Sequence, residues 1–223
     1  MKKNKMMRIA SVLLVAVILT TCAISGTYAK YTTANTNSNT ARVAKFGVEV
    51  EANGSTFANE YVTNDSNVVG TIAKSVVSTE NVVAPGTSGA MAAFTITGTP
   101  EVAVKVAFTG TLELGEKWVD ESGHYYCPIE ITVGGMTFKG KDYTSADLFE
   151  TAVNDKIAGY TNNYEAGTDL NTGAVSNNAP AISWKWAFEG NSDDNDTYLG
   201  KQAAADNAAK ISLAVTATVT QID

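Results

Sequence analysis

The chain predicts an all-β fold: an antiparallel, jelly-roll-like β-sandwich with one inserted helix, preceded by a signal peptide. Three observations carry that expectation. Thr, Val, Ala, Asn and Gly are abundant while charged residues make up only 17%, a balance that favours strands and loops over exposed helices. Apolar and polar residues alternate with period two along many stretches, which is the mark of half-buried strands. No βαβ rhythm interrupts them, so the strands have no helical crossovers to make a parallel sheet.

Residues 1–29 read as an export signal. Met1-Lys2-Lys3-Asn4-Lys5-Met6-Met7-Arg8 is a basic start, residues 9–24 form an uncharged and mostly apolar run, and Thr27-Tyr28-Ala29 has the small-x-small spacing of a cleavage site. The run is short for a bilayer span, which needs about 20 residues. Cleavage is expected between Ala29 and Lys30. An uncleaved anchor, or a lipid attached at Cys22 after Leu19-Thr20-Thr21, are the competing readings.

Residues 30–40 are polar and carry no helical pattern. They form an arm, either a loose tail or a strand that completes the sheet of another subunit by β-addition. Lys30, Tyr31, Thr32, Thr33 and Ala34 lead that arm. Residues 41–223 are then the β-sandwich domain.

The strands follow in order. Arg42-Val43-Ala44-Lys45-Phe46-Gly47-Val48-Glu49-Val50 alternates throughout and reads as one strand. Asn53-Gly54 is a hairpin-type turn. Weaker strands are expected over 56–63 and 68–77. Pro85-Gly86 is a turn, because proline presets the first position and glycine accepts positive φ. Strands are expected over 91–98 and 101–114, the second being the longest alternating run. Strands over 128–133 and 136–138 flank Gly134-Gly135, a hairpin signal.

The one helix is expected near 145–158. Thr144 or Ser145 can cap it, and Asp147 follows three residues after Thr144. Leu148, Phe149, Ala152, Val153 and Ile157 recur at three- and four-residue spacing, and Gly159 stops it. Residues 161–179 read as a long loop rich in Asn, Thr and Gly, 181–189 as a strand, 190–198 as an acidic loop, 202–210 as a short helix or turn, and 211–223 as the last strand. The total is about nine strands with one helix, as in a jelly roll.

Charge and cysteines narrow the function. The full chain carries 16 basic and 23 acidic residues, a net −7. Losing Lys2, Lys3, Lys5 and Arg8 with the signal leaves 12 basic residues against 23 acidic, near −11. Such a surface does not suit nucleic acid, whose phosphates need Lys and Arg partners. Of the two cysteines only Cys127 survives cleavage, so no internal disulfide is expected.

Residues that carry chemistry are few. His124 is the single histidine and lies three residues from Cys127, with no orienting acid marked by the sequence. A base–thiolate pair is therefore a weaker reading than a loop histidine and a half-buried cysteine. No known catalytic or phosphate-binding motif is present, and one histidine cannot build the usual zinc site. No enzymatic activity is expected. Asp193, Asp194 and Asp196 offer hard oxygen ligands to calcium, although a solvated turn is the plainer reading. Trp184, Trp186 and Phe188 alternate onto one face. In a sandwich that face is core; exposed, it would be a carbohydrate-stacking platform on Trp184 and Trp186.

Several of these stretches together resemble a known group. Thr27-Tyr28-Ala29-Lys30-Tyr31, then Ala41-Arg42-Val43-Ala44-Lys45-Phe46-Gly47-Val48, is similar to the export and first-strand signature of the TasA/camelysin family. Val83-Ala84-Pro85-Gly86-Thr87, Asp196-Thr197-Tyr198-Leu199-Gly200 and Ala217-Thr218-Val219-Thr220-Gln221-Ile222-Asp223 resemble later stretches of the same group. The resemblance is specific at the N-terminal stretch and loose from about residue 115 to 181. It implies an exported protein of Gram-positive bacteria, processed by a SipW-type signal peptidase. It also implies a jelly-roll domain that polymerises into biofilm-matrix fibres, the arm of one subunit completing the sheet of the next.

The leading expectation is accordingly a secreted structural subunit of an extracellular fibre or biofilm matrix. Its partners would be further copies of itself, and other matrix proteins or polysaccharide. A cell-surface carbohydrate-binding or adhesive module is the alternative. Camelysins have also been classed as metallopeptidases, but no metal-ligand constellation in this sequence supports that activity.

Overall fold

Thirteen strands, two α-helices and one short 3-10 turn make up the described part of a computed structural model of the chain. It describes residues 32–36, 41–43, 48–52, 56–63, 70–91, 94–171, 178–188 and 193–222. All of them belong to one compact unit, Thr32–Asp223. The expected signal peptide, Ala29, Lys30, Tyr31 and the Asn53-Gly54 turn lie outside the described residues.

The longest alternating run becomes the strand the first sheet is built on. β8 (Val104–Leu114) buries Val104, Val106, Phe108 and Leu112 and turns Lys105, Thr109, Thr111 and Glu113 to solvent. β13 (Ile211–Gln221) pairs with it antiparallel over its whole length, from Ile211 opposite Leu114 to Gln221 opposite Val104. β1 (Thr32–Thr36) lies outside β13, and β11 (Thr161–Tyr164) lies outside β8.

A second antiparallel sheet runs β10 (Met136–Lys139), β9 (Ile129–Val133), β12 (Ile182–Trp186), β6 (Ser88–Ala90). The β9–β10 hairpin turns on Gly134 and Gly135, with φ of 56° and 86°. Two successive positive φ values are the backbone of a tight hairpin that follows the strand twist, and glycine adopts them without steric cost. A third sheet runs β2 (Ala41–Val43), β3 (Val48–Ala52), β7 (Phe94–Gly98). β4 (Glu60–Val62) and β5 (Thr71–Lys74) form a separate ribbon.

One apolar core joins these layers. β9 presents Ile129, Ile131 and Val133 to it; β13 presents Leu213, Val215, Ala217 and Val219. Phe94 of β7 meets Phe108 of β8 edge to face at 5.4 Å, and Trp118 packs against Trp186 of β12 at 6.0 Å. Aromatic pairs at such spacings add to the area they bury. The described residues are thus all-β in class, with antiparallel sheets around a shared core and two helices.

α1 (Ala146–Ala158) forms where its stripe predicts. Ser145 caps it by accepting the Leu148 backbone N–H at 3.4 Å, and Phe149, Val153 and Ile157 are buried. Gly159 ends it in right-handed rather than left-handed geometry.

Four expectations are corrected. The stretch 42–50 is not one strand: β2 pairs antiparallel with β3, Val43 opposite Val48, so the chain reverses between them. A hairpin whose arms both alternate gives the same period-two pattern as one long strand. The supposed loop after Gly159 opens with a strand, β11. The acidic stretch begins a second helix, α2 (Asp193–Ala204), where one helix had been expected. Three aspartates in a first turn complement the positive end of the helix dipole, so the same acids that suggest a loop also start a helix. Finally, β12 ends at Trp186, and Phe188 beyond it is 71% exposed rather than sharing the face of Trp184 and Trp186.

Candidate functional site

The N-terminal arm is a strand over residues 32–36, and it lies on its own chain. β1 pairs antiparallel with β13: Thr32 opposite Thr220, Thr33 opposite Val219, Ala34 opposite Thr218, Asn35 opposite Ala217 and Thr36 opposite Thr216. Of the expected arm residues, Thr32, Thr33 and Ala34 are therefore in the sheet, while Lys30 and Tyr31 lie outside the described residues.

β13 is well suited to receive such a strand. Its alternate residues Leu213, Val215, Ala217 and Val219 are buried, so one face is fixed in the core. Its other edge is fully paired to β8. Hence the rim that faces β1 has a rigid backbone with donors and acceptors already in extended register. In that register the positions opposite the core residues Val219 and Ala217 are Thr33 and Asn35. A strand with polar residues at such positions gains mostly from its backbone ladder, and its register is weakly specified by apolar packing.

The other predicted residues are placed apart from this edge and from each other in role. Trp184 and Trp186 are core residues, 2% and 5% exposed. The Trp184 indole N–H donates to the Thr56 carbonyl at 2.7 Å, and its ring meets Phe57 and Tyr61. Neither tryptophan presents a face to a sugar: both pack in the core, as expected of that face in a sandwich, and not as the alternative stacking platform.

Asp196 is occupied within the protein. Its Oδ1 accepts from the Tyr126 hydroxyl at 2.8 Å and its Oδ2 from the Trp186 indole N–H at 3.1 Å. Asp193 and Asp194 are exposed on the first turn of α2. Among the described residues no group of three or more His, Cys, Asp or Glu side chains is gathered as metal ligands.

His124 and Cys127 face different surroundings. His124 is turned to Asp120, with Nδ1 3.6 Å from Oδ2, and its side chain is 81% exposed. Asp120 also accepts the backbone N–H groups of Ser122 and His124, both at 2.9 Å, and these bonds hold its carboxyl below the usual range. Cys127 is fully buried, and burial pushes its thiol up to about 12. A thiol so placed is a packing group, since the nucleophile is the thiolate.

Sequence reasoning missed two features. One is the attachment of α2 through Asp196, for which Ser192 followed by three acids was an available helix-start signal. The other is that β1 finds a partner within the same chain. Comparison with family models, with curated proteins and with solved structures finds no match for the chain.

Proposed function

We propose that this chain is a secreted, non-enzymatic structural subunit of an extracellular fibre or biofilm matrix. In this reading it is a jelly-roll relative of the TasA/camelysin group, freed by a signal peptidase near Ala29 and assembled by strand addition through its N-terminal arm.

The observation that carries the reading is the β1–β13 pairing. A five-residue arm at the start of the described chain already has strand geometry, sits at the outer edge of a four-stranded sheet, and is bonded there to the last strand. Backbone ladders are indifferent to which copy supplies the strand. The same five-residue register can form within one chain or between two, as in domain swapping. Pairing in cis has the advantage of a high effective concentration, while pairing in trans gains ground as protein concentration rises. A swap of an end strand onto an edge is a heterologous contact, and one that does not close propagates into a filament.

The test removes residues 30–40 from the mature protein and compares its assembly with the full mature form by electron microscopy and sedimentation. The reading expects fibres or high-mass species from the full form and none from the shortened one. Unchanged assembly without the arm would contradict it.

A further inference from the structure

We infer that α1 seals the part of β8 that β11 leaves uncovered, its side chains standing where a further strand would pair, so that along this length of β8 the sheet cannot be extended. The inference rests on the strand-addition reading for its use, and on the following geometry for its substance.

β8 is eleven residues long, but β11 covers only its first part, from Tyr164 opposite Val104 to Thr161 opposite Ala107. The Phe108 N–H continues that pairing by donating to the Tyr160 carbonyl at 3.2 Å. Beyond it the chain turns away into α1, and the rest of the β8 rim would be an open template for another chain. It is closed by two side chains. Asn154 Oδ1 accepts the Leu112 N–H at 2.8 Å, and Glu150 Oε1 accepts the Leu114 N–H at 2.6 Å.

The spacings match. Residues four apart on a helix rise about 6 Å, and residues two apart on a strand advance about 6.8 Å. The order is reversed, Glu150 serving Leu114 and Asn154 serving Leu112, so the helix runs antiparallel to β8 like a strand would. One turn further on, Gly110 has no side chain to stand in the way. A Cβ there would come 2.5 Å from Ile157 Cδ1 and 3.2 Å from Asn154 Oδ1, so glycine lets the helix lie directly on the strand.

The sequence therefore spends two polar residues of a core-packed helix on satisfying strand donors. Buried N–H groups need partners in any case. What this solution adds is a sealed edge: a partner strand would have to displace a helix anchored by the fully buried Phe149, Val153 and Ile157. The opposite rim, at β13, is covered by a short end strand instead. A sealed stretch of β8 and an exchangeable rim on β13 bias assembly toward β13.

The test compares three mature proteins: wild type, the Asn154→Ala/Glu150→Ala pair, and the acceptor-keeping Asn154→Asp/Glu150→Gln pair. Amide exchange reads the edge, and microscopy with sedimentation reads association. In wild type the Leu112 and Leu114 amides should exchange as slowly as those of Thr111 and Glu113, whose N–H groups alternate toward β13. In the alanine pair the Leu112 and Leu114 amides should exchange about tenfold faster or more, and the protein should associate laterally, as thickened or branched fibres. The acceptor-keeping pair should behave as wild type. Loop-like exchange at Leu112 and Leu114 in wild type would overturn the inference. So would an alanine pair with fast amides and unchanged, unbranched assembly. If the alanine pair does not fold, wild-type exchange and the acceptor-keeping pair decide. A wild type that makes no fibre contradicts the strand-addition reading instead, and lateral association of the alanine pair then tests the sealed edge by itself.

Discussion

The Tyr126 hydroxyl donates to Asp196 Oδ1 across 2.8 Å, tying the segment that leads into β9 to the first turn of α2. The second oxygen of the same carboxylate receives the Trp186 indole N–H at 3.1 Å. With Leu199, which is buried, this carboxylate fixes α2 to the body.

Asp196→Ala strands both donors in a partly buried place. It should destabilise the protein by about 2 kcal/mol or more, while Asp196→Asn, which keeps an acceptor, should cost less. Urea unfolding followed by circular dichroism measures both. Equal midpoints for Asp196→Ala and wild type would show that α2 is held by Leu199 alone.

Gly140→Ala should be costly for a steric reason. A Cβ on Gly140 would stand 2.6 Å from the Cys127 carbonyl oxygen and 2.8 Å from the Cys127 Cβ and Sγ. Backbone on one side and a fully buried side chain on the other leave little room to relax, so a loss of about 1–3 kcal/mol follows. A melting temperature within error of wild type would contradict the tight packing of this turn on Cys127.

Cys127 gives the fold an alkaline limit. Its thiol is raised to about 12 by burial, from 9.0. The folded form therefore holds its proton where the unfolded form has lost it. The resulting stability is complete below about pH 9 and is lost as pH rises toward 12. Burial raises the Tyr125 hydroxyl as well, which acts in the same direction. Melting temperatures should fall over that range, and Cys127→Ala should flatten the fall. At pH 8 a thiol reagent should react only as fast as the protein opens; rapid labelling of the native form would contradict this.

Much of the fold was legible because the burial pattern of the strands is simple. In β8 and β13 buried residues alternate with half-buried or exposed ones along most of the strand, since one face packs in the core. Gly134-Gly135 and Ser145 announced a turn and a cap because those backbone conformations demand such residues. The errors have equally local causes. Alternation cannot distinguish one strand from a hairpin, so β2 and β3 were merged. β11, Thr161-Asn162-Asn163-Tyr164, holds almost no apolar residue, because an edge strand needs little more than a backbone. Aspartates suit both turns and first helical turns, which hid α2. The candidate site was half legible. That residues 30–40 hold a strand could be read from threonine content, but the partner could not, because a backbone ladder leaves no imprint in side-chain pattern.

Tryptophan emission tests where the aromatics are. Trp118, Trp184 and Trp186 are 2%, 2% and 5% exposed. Native emission should resist aqueous quenchers and should not respond to added polysaccharide. A polysaccharide-dependent shift would return the carbohydrate reading to consideration.

The most direct measurement of strand addition uses two partners that each carry one introduced cysteine beside the buried Cys127. Ala34 and Thr218 lie opposite each other in the β1–β13 register, at a Cα separation of about 4.5–5.5 Å, which a disulfide spans. Ala34→Cys protein and Thr218→Cys protein, distinguishable by mass, are mixed, assembled and oxidised. Strand exchange between copies predicts mixed disulfide-linked pairs, enriched in the fibre fraction over the soluble one. Fibres that form without mixed pairs, while an Ala34→Cys/Thr218→Cys double variant closes its bridge only within one chain, would contradict the account.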